Sequence, residues 1–114
     1  MADCLFCQIA AHEIPTQIVT EDDQVIAFRD INPQGPVHLL VIPKRHIANV
    51  AAAQADDEAL LGHLLRVGAQ VATAEGVAES GYRLVFNRGP HAGEAVPHLH
   101  LHVIGGRPLG WPPG

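Results

Sequence analysis

Basic residues are scarce. Seven lysines and arginines face twelve aspartates and glutamates, giving a net charge of −5 with the histidines neutral. That balance argues against a broad nucleic-acid or membrane-surface footprint. An anionic ligand would have to be held locally, by backbone N–H groups and histidines. Long apolar runs are also missing, and none approaches the roughly 20 residues a membrane span needs. The opening MADCLFCQIA has neither a basic n-region nor a long apolar core, so no secretory signal is read and a cytoplasmic protein is expected. There are only two cysteines, Cys4 and Cys7. In that compartment they are expected as thiols or metal ligands rather than as a structural disulfide. Repeats, low-complexity segments and linkers are absent. The 114 residues suit one domain over 1–114, with 105–114 as a C-terminal tail.

What is present is material for a packed core: 47% hydrophobic and 17% charged residues. That excludes a disordered chain. A core this small is often supplemented by a metal or by oligomerisation.

LFCQIAAHEI reads as a short helix closed by Pro15. QIVTED and QVIAFRD read as strands separated by Asp22 and Asp23, and INPQGP as a turn. HLLVIP fits a buried central strand ended by Pro43. Residues 56–75 form the long helix. Asp56, Asp57 and Glu58 sit at its N-terminus, Leu61, Leu64, Gly68 and Val71 make an apolar face, and Gly76 stops it. YRLVFN is a strand, RGPHAGEAVP a loop, HLHLHVI the last strand and GGRPLGWPPG a non-helical tail. The expected class is α+β: a roughly five-stranded, mainly antiparallel sheet with one long and one short helix.

The last strand carries the chemistry. His98, His100 and His102 alternate with Leu99, Leu101 and Val103. With a side-chain period of two, the imidazoles share one face and the aliphatics the other. Packing explains the aliphatic face only, because buried imidazoles need partners. Three readings stand: a polar surface stripe, a catalytic zinc held by His-x-His, or a neutral imidazole attacking phosphorus to form a covalent intermediate. The preceding loop favours a phosphate. Gly89 and Gly93 let the backbone approach an anion and expose its N–H groups.

At these residues the sequence resembles the histidine triad (HIT) family, whose mark is His-φ-His-φ-His-φ-φ with φ apolar. FRDINPQGPVHLLVIPKRHI and NRGPHAGEAVPHLHLHVIGGR both resemble family blocks, and WPPG resembles the Hint branch, the purine nucleoside phosphoramidases. The resemblance implies a HIT-like fold and a nucleotide hydrolase or transferase acting on the α-phosphate of purine nucleoside phosphoramidates or related conjugates. His100 would be the nucleophile that becomes nucleotidylated. His102 would contact the phosphate and help the leaving group, His98 would support the site, and His38 would back the triad. Asn87 and the loop residues Gly93, Glu94 and Ala95 would bind phosphate. Asp30 would accept from the ribose hydroxyls, and Ile31, Phe28, Phe6 and Ile9 would pack around the base. From composition alone those four apolar residues could equally be ordinary core. One departure stands out: Ala95 occupies a position where the family often has serine, so a hydroxyl is missing.

By spacing alone, Cys4-x-x-Cys7 is half a zinc site, a redox motif or two free thiols. The βαβ context of a redox motif is absent. The resemblance implies a structural zinc on Cys4, Cys7, His46 and His98, with no metal required for catalysis. His12, His63 and His91 are expected in surface or local roles. The resemblance further implies a homodimer, with Trp111 of the tail at the interface, no nucleic-acid partner and no membrane. Alternatives from the same residues are a dinucleoside polyphosphate hydrolase or nucleotidyl transferase, a nucleotide-binding regulatory protein, and a zinc hydrolase.

Overall fold

A computed structural model of the chain describes residues 4–114. Its centre is a strand, β3 (Val37–Pro43), buried at every position. A strand turns alternate side chains to opposite faces, so a strand buried throughout must be covered on both. Leu39 and Val41 enter one apolar cluster, while Leu40 and Ile42 enter another. β2 (Val25–Arg29) divides in the same way. Val25 and Ala27 join Leu39 and Val41, and Ile26 and Phe28 join Leu40 and Ile42.

Two helices supply the covers. α2 (Glu58–Ala74) brings Leu64, Val67, Val71 and Ala72 to the first cluster. Gly68 lies against β5 (Leu101–Gly105), where an added Cβ would meet Leu101 Cδ2 at 2.8 Å. A side chain there would force the buried Leu101 side chain or the helix to shift. α1 (Leu5–Ala10) brings Phe6 and Ile9 to the second cluster. Six residues do not sustain a helix alone. α1 is held by burying Phe6 and Ile9, worth about 1.5–3 kcal/mol each, and by the Cys4 sulfur accepting from the Cys7 N–H at 3.3 Å.

With β1 (Ile18–Glu21) and β4 (Tyr82–Val85) the sheet runs β1-β2-β3-β5-β4, antiparallel throughout. The expected α+β class and five strands are observed. The last strand is shorter than HLHLHVI suggests: the ladder starts at Leu101 and not at His98. In the observed register Pro43 would lie opposite Leu99, and proline has no N–H to offer a ladder. The Leu99 N–H turns instead to the carbonyl of Ile47, at 2.7 Å. Among the described residues no helix is long and apolar enough to cross a membrane.

Candidate active site

α1 does not cover its face of the sheet completely. A cavity of about 510 Å³ remains between α1, β2, β3 and the loop before β5. Phe6, Ile9, Phe28 and Leu40 form apolar walls, and Asp30, Asn87, His100 and His102 supply polar groups. Register explains why His102 points here: it pairs with Leu40, which faces α1. Gly93 and Ala95 bring loop backbone to the same cavity. Gly93 takes a left-handed φ of +77°, which glycine adopts without a Cβ penalty.

Hydrogen bonds settle the tautomers. His100 Nδ1 lies 2.7 Å from the carbonyl oxygen of His98. A carbonyl only accepts, so Nδ1 is protonated and the neutral ring keeps a bare lone pair on Nε2. His38 shows the converse pattern. The Gln34 backbone N–H donates to its Nδ1 at 2.9 Å, so the neutral ring carries its proton on Nε2. That Nε2–H donates to His102 Nδ1, also at 2.9 Å. His102 must then carry its own proton on Nε2. Two rings of one residue type thus become an acceptor, His100, and a donor, His102, with centroids 5.0 Å apart. Burial, followed by the neighbouring His100 and His38 rings, pushes His102 down to about 4. Burial also lowers His38, against the pull of the Asp30 carboxylate.

His98 does not line the cavity. It is fully buried, and its Nε2–H donates to the Pro43 carbonyl at 2.9 Å. Its bare Nδ1 faces Cys4 Sγ at 3.3 Å, Cys7 Sγ at 3.5 Å and His46 Nδ1 at 3.2 Å. Cys7 Sγ and His46 Nδ1 are 3.3 Å apart, and all four ligand atoms lie within 4.8 Å of one another. A tetrahedral Cys₂His₂ zinc has edges of about 3.3–3.6 Å for N···N and N···S, from its usual bond lengths. The donor set fits that ion in chemistry and in spacing. Burial, then the Cys4 sulfur alongside, raises the Cys7 thiol above its ordinary range. A bound cation would reverse that preference.

Other expected site residues divide. Asp30, Phe28, Phe6, Ile9, Asn87, Gly93 and Ala95 all line the cavity, and so does Ile31, at its rim and 99% exposed. Glu94 does not line it. Its carboxylate accepts from the Gly89 N–H at 2.8 Å and from Arg88 at 3.1 Å, so it braces the loop from behind. Leu40, Ile14 and Val96 line the cavity without having been expected. Leu40 belongs to an apolar stretch whose sequence does not distinguish a cavity wall from packed core, and Ile14 and Val96 are single apolar residues before prolines that carry no periodic signal. His63 pairs with Asp22 at 2.6 Å and His12 with Glu21 at 3.1 Å, both near the surface.

Residues 11–109 match the family model described as the HIT domain. A HIT-like protein of Synechococcus elongatus is 55% identical over 112 residues, covering 98% of this chain and 97% of that protein. The Escherichia coli protein named purine nucleoside phosphoramidase is 48% identical over 108 residues, covering 95% of this chain and 91% of its own length. The crystal structure of a HIT family hydrolase from Legionella pneumophila matches with a TM-score of 0.96 at 53% identity, covering 98% of this chain and all of that one. The chain belongs to the HIT family.

Proposed function

We propose that the protein is a cytoplasmic nucleotide hydrolase that cleaves the P–N bond of purine nucleoside phosphoramidates through a nucleotidyl-histidine intermediate on His100. One observation carries this reading: a bare His100 Nε2 and a protonated His102 Nε2 side by side on one cavity. An acceptor with an available lone pair serves as nucleophile, and a neighbouring N–H serves a phosphoryl oxygen.

The His100 Nε2 lone pair bonds to the α-phosphorus, and the P–N electron pair leaves on the amine nitrogen, which takes a proton from water. The cationic phosphoimidazole keeps its Nδ1–H on the His98 carbonyl. His102 Nε2–H, Asn87 and the backbone at Gly93 and Ala95 hold the phosphoryl oxygens. Water then attacks the phosphorus, the P–Nε2 pair returns to the His100 ring, and the proton that water sheds neutralises the hydroxide left by protonation of the amine. Asp30 accepts from the ribose hydroxyls, and Phe6, Ile9 and Phe28 pack on the purine. The relative named purine nucleoside phosphoramidase supports the leaving-group class.

Cys4, Cys7, His46 and His98 would hold a structural zinc, which ties the N-terminal segment to the strand bearing the nucleophile. No step passes through that ion. The proposed assembly is a homodimer, consistent with β4 standing at the sheet edge and the tail lying beside it through Arg83 and the Gly110 carbonyl, 2.8 Å apart.

The test is intact-mass spectrometry after rapid acid-free quenching with adenosine phosphoramidate. Wild type should gain one AMP, and His100→Ala should gain none. Turnover by both proteins without an adduct would overturn the nucleophile. Adduct formation from dinucleoside polyphosphates but not from the phosphoramidate would overturn the leaving-group class.

A further inference from the structure

We infer that ribose binding is coupled to the phosphate end of the site through the Asp30 carboxylate, whose charge acts on the His38 Nε2–H that donates to His102. Asp30 is then a positioning residue for catalysis as well as part of the binding wall, and the buried His38 is a positioning residue behind it. This rests on the proposed placement of a nucleotide in the cavity.

The atoms are specific. His38 Nε2 carries a single hydrogen, because its Nδ1 is occupied by the Gln34 N–H. That hydrogen is donated to His102 Nδ1 at 2.9 Å, and the Asp30 carboxylate oxygen Oδ2 stands 3.4 Å from the same nitrogen as a charged neighbour. Asp30 Oδ1 accepts from the Asn32 N–H at 2.8 Å, which orients the carboxylate. Asp30 also lines the cavity, where Oδ2 is the oxygen left for a ligand hydroxyl. The His38 ring is buried, so water does not replace either partner.

In the free protein the nearby carboxylate charge makes the His38 Nε2–H a poorer donor to His102. Its negative charge also opposes the effect of burial on both rings. Ribose hydroxyls donating to Asp30 satisfy Oδ2 and draw off part of its charge. The His38 Nε2–H then becomes a stronger donor to His102 Nδ1. A ring accepting a stronger bond on Nδ1 offers a more acidic N–H at Nε2. That N–H faces the phosphoryl group. A correct sugar therefore strengthens the donor at the reacting end, and part of the binding energy of the hydroxyls is expressed in the rate.

The experiment compares adenosine phosphoramidate with its 2′,3′-dideoxy counterpart by single-turnover adduct formation. Wild type should show a higher KM for the dideoxy substrate and a rate at saturation lowered about tenfold, within the usual range of coupling between sites. In His38→Gln the KM difference should persist while the difference in saturating rate disappears. As a check that needs no variant, the His102 ring ¹⁵N resonances of wild type should move more with AMP than with 2′,3′-dideoxy-AMP. A higher KM with an unchanged saturating rate and equal ¹⁵N shifts would overturn the coupling and leave Asp30 on the ribose. No difference in either parameter would overturn the ribose placement itself, and the coupling with it.

Discussion

Gly68 and Leu101 are in direct apposition: a Cβ on the glycine would meet Leu101 Cδ2 at 2.8 Å and Leu84 Cδ2 at 3.3 Å. Leu101 is fully buried and begins the strand that carries His102. Gly68→Val should therefore destabilise the fold by about 1–3 kcal/mol through overpacking. Urea unfolding checks this. An unchanged midpoint would mean that α2 and β5 are not packed this closely.

Acid should weaken the fold through its buried imidazoles. Unfolded histidines titrate near 6.5. In the fold His102 is pushed down to about 4, by burial first, and burial lowers His38 as well. Between these limits the unfolded chain binds more protons than the folded one. Stability should thus fall as pH drops from about 6.5 to about 4, by about 1.4 kcal/mol per pH unit for each excess proton. Urea midpoints measured across that window, with a chelator present throughout, should fall less steeply for His102→Gln. Equal slopes for the two proteins would count against a buried neutral His102.

A metal on Cys4, Cys7, His46 and His98 should stabilise the folded chain, since those four atoms converge only in the fold. Stripping with a strong chelator should lower the melting temperature by about 10 °C or more, corresponding to about 3 kcal/mol. Cys7→Ser should start from the lower value and respond little to chelator. Native mass spectrometry gives an independent reading of one ion per chain. Identical melting with and without chelator, and no bound metal, would show the tetrad to be a hydrogen-bonded cluster only.

Ala95 lines the cavity beside Val96 and His100. Under the proposed mechanism Ala95→Ser adds a hydroxyl donor for a phosphoryl oxygen or the leaving group. One such bond is worth about 1.5 kcal/mol, so kcat/KM should rise about tenfold. A fall in kcat/KM with an intact fold would mean that the small side chain is needed for space.

The amino-acid order alone revealed a good deal of this. The apolar stretches at residues 24–30 and 38–43 announced strands because they are short, contain β-branched residues and are bounded by turn residues. The three alternating histidines pointed to a site because packing had no use for them. Loop residue Glu94 was less legible: its position beside Gly93 suggested a phosphate contact, but its carboxylate braces Gly89 and Arg88. The direction in which a loop side chain turns is decided by hydrogen bonds across the turn, and no periodicity reports it.

Residue order determined the class, the number of strands and the two helices, and which residues carry groups able to do chemistry, because these follow from local periodicity and from the donor types of the side chains. Only the tertiary structure decided their division of labour. The His98 carbonyl made His100 a bare acceptor, while Gln34 acting through His38 made His102 a donor. It also turned His98 away from its two neighbours toward Cys4, Cys7 and His46. A histidine's tautomer is set by whichever group reaches its other nitrogen. For His98 and His102 that group comes from a distant part of the chain.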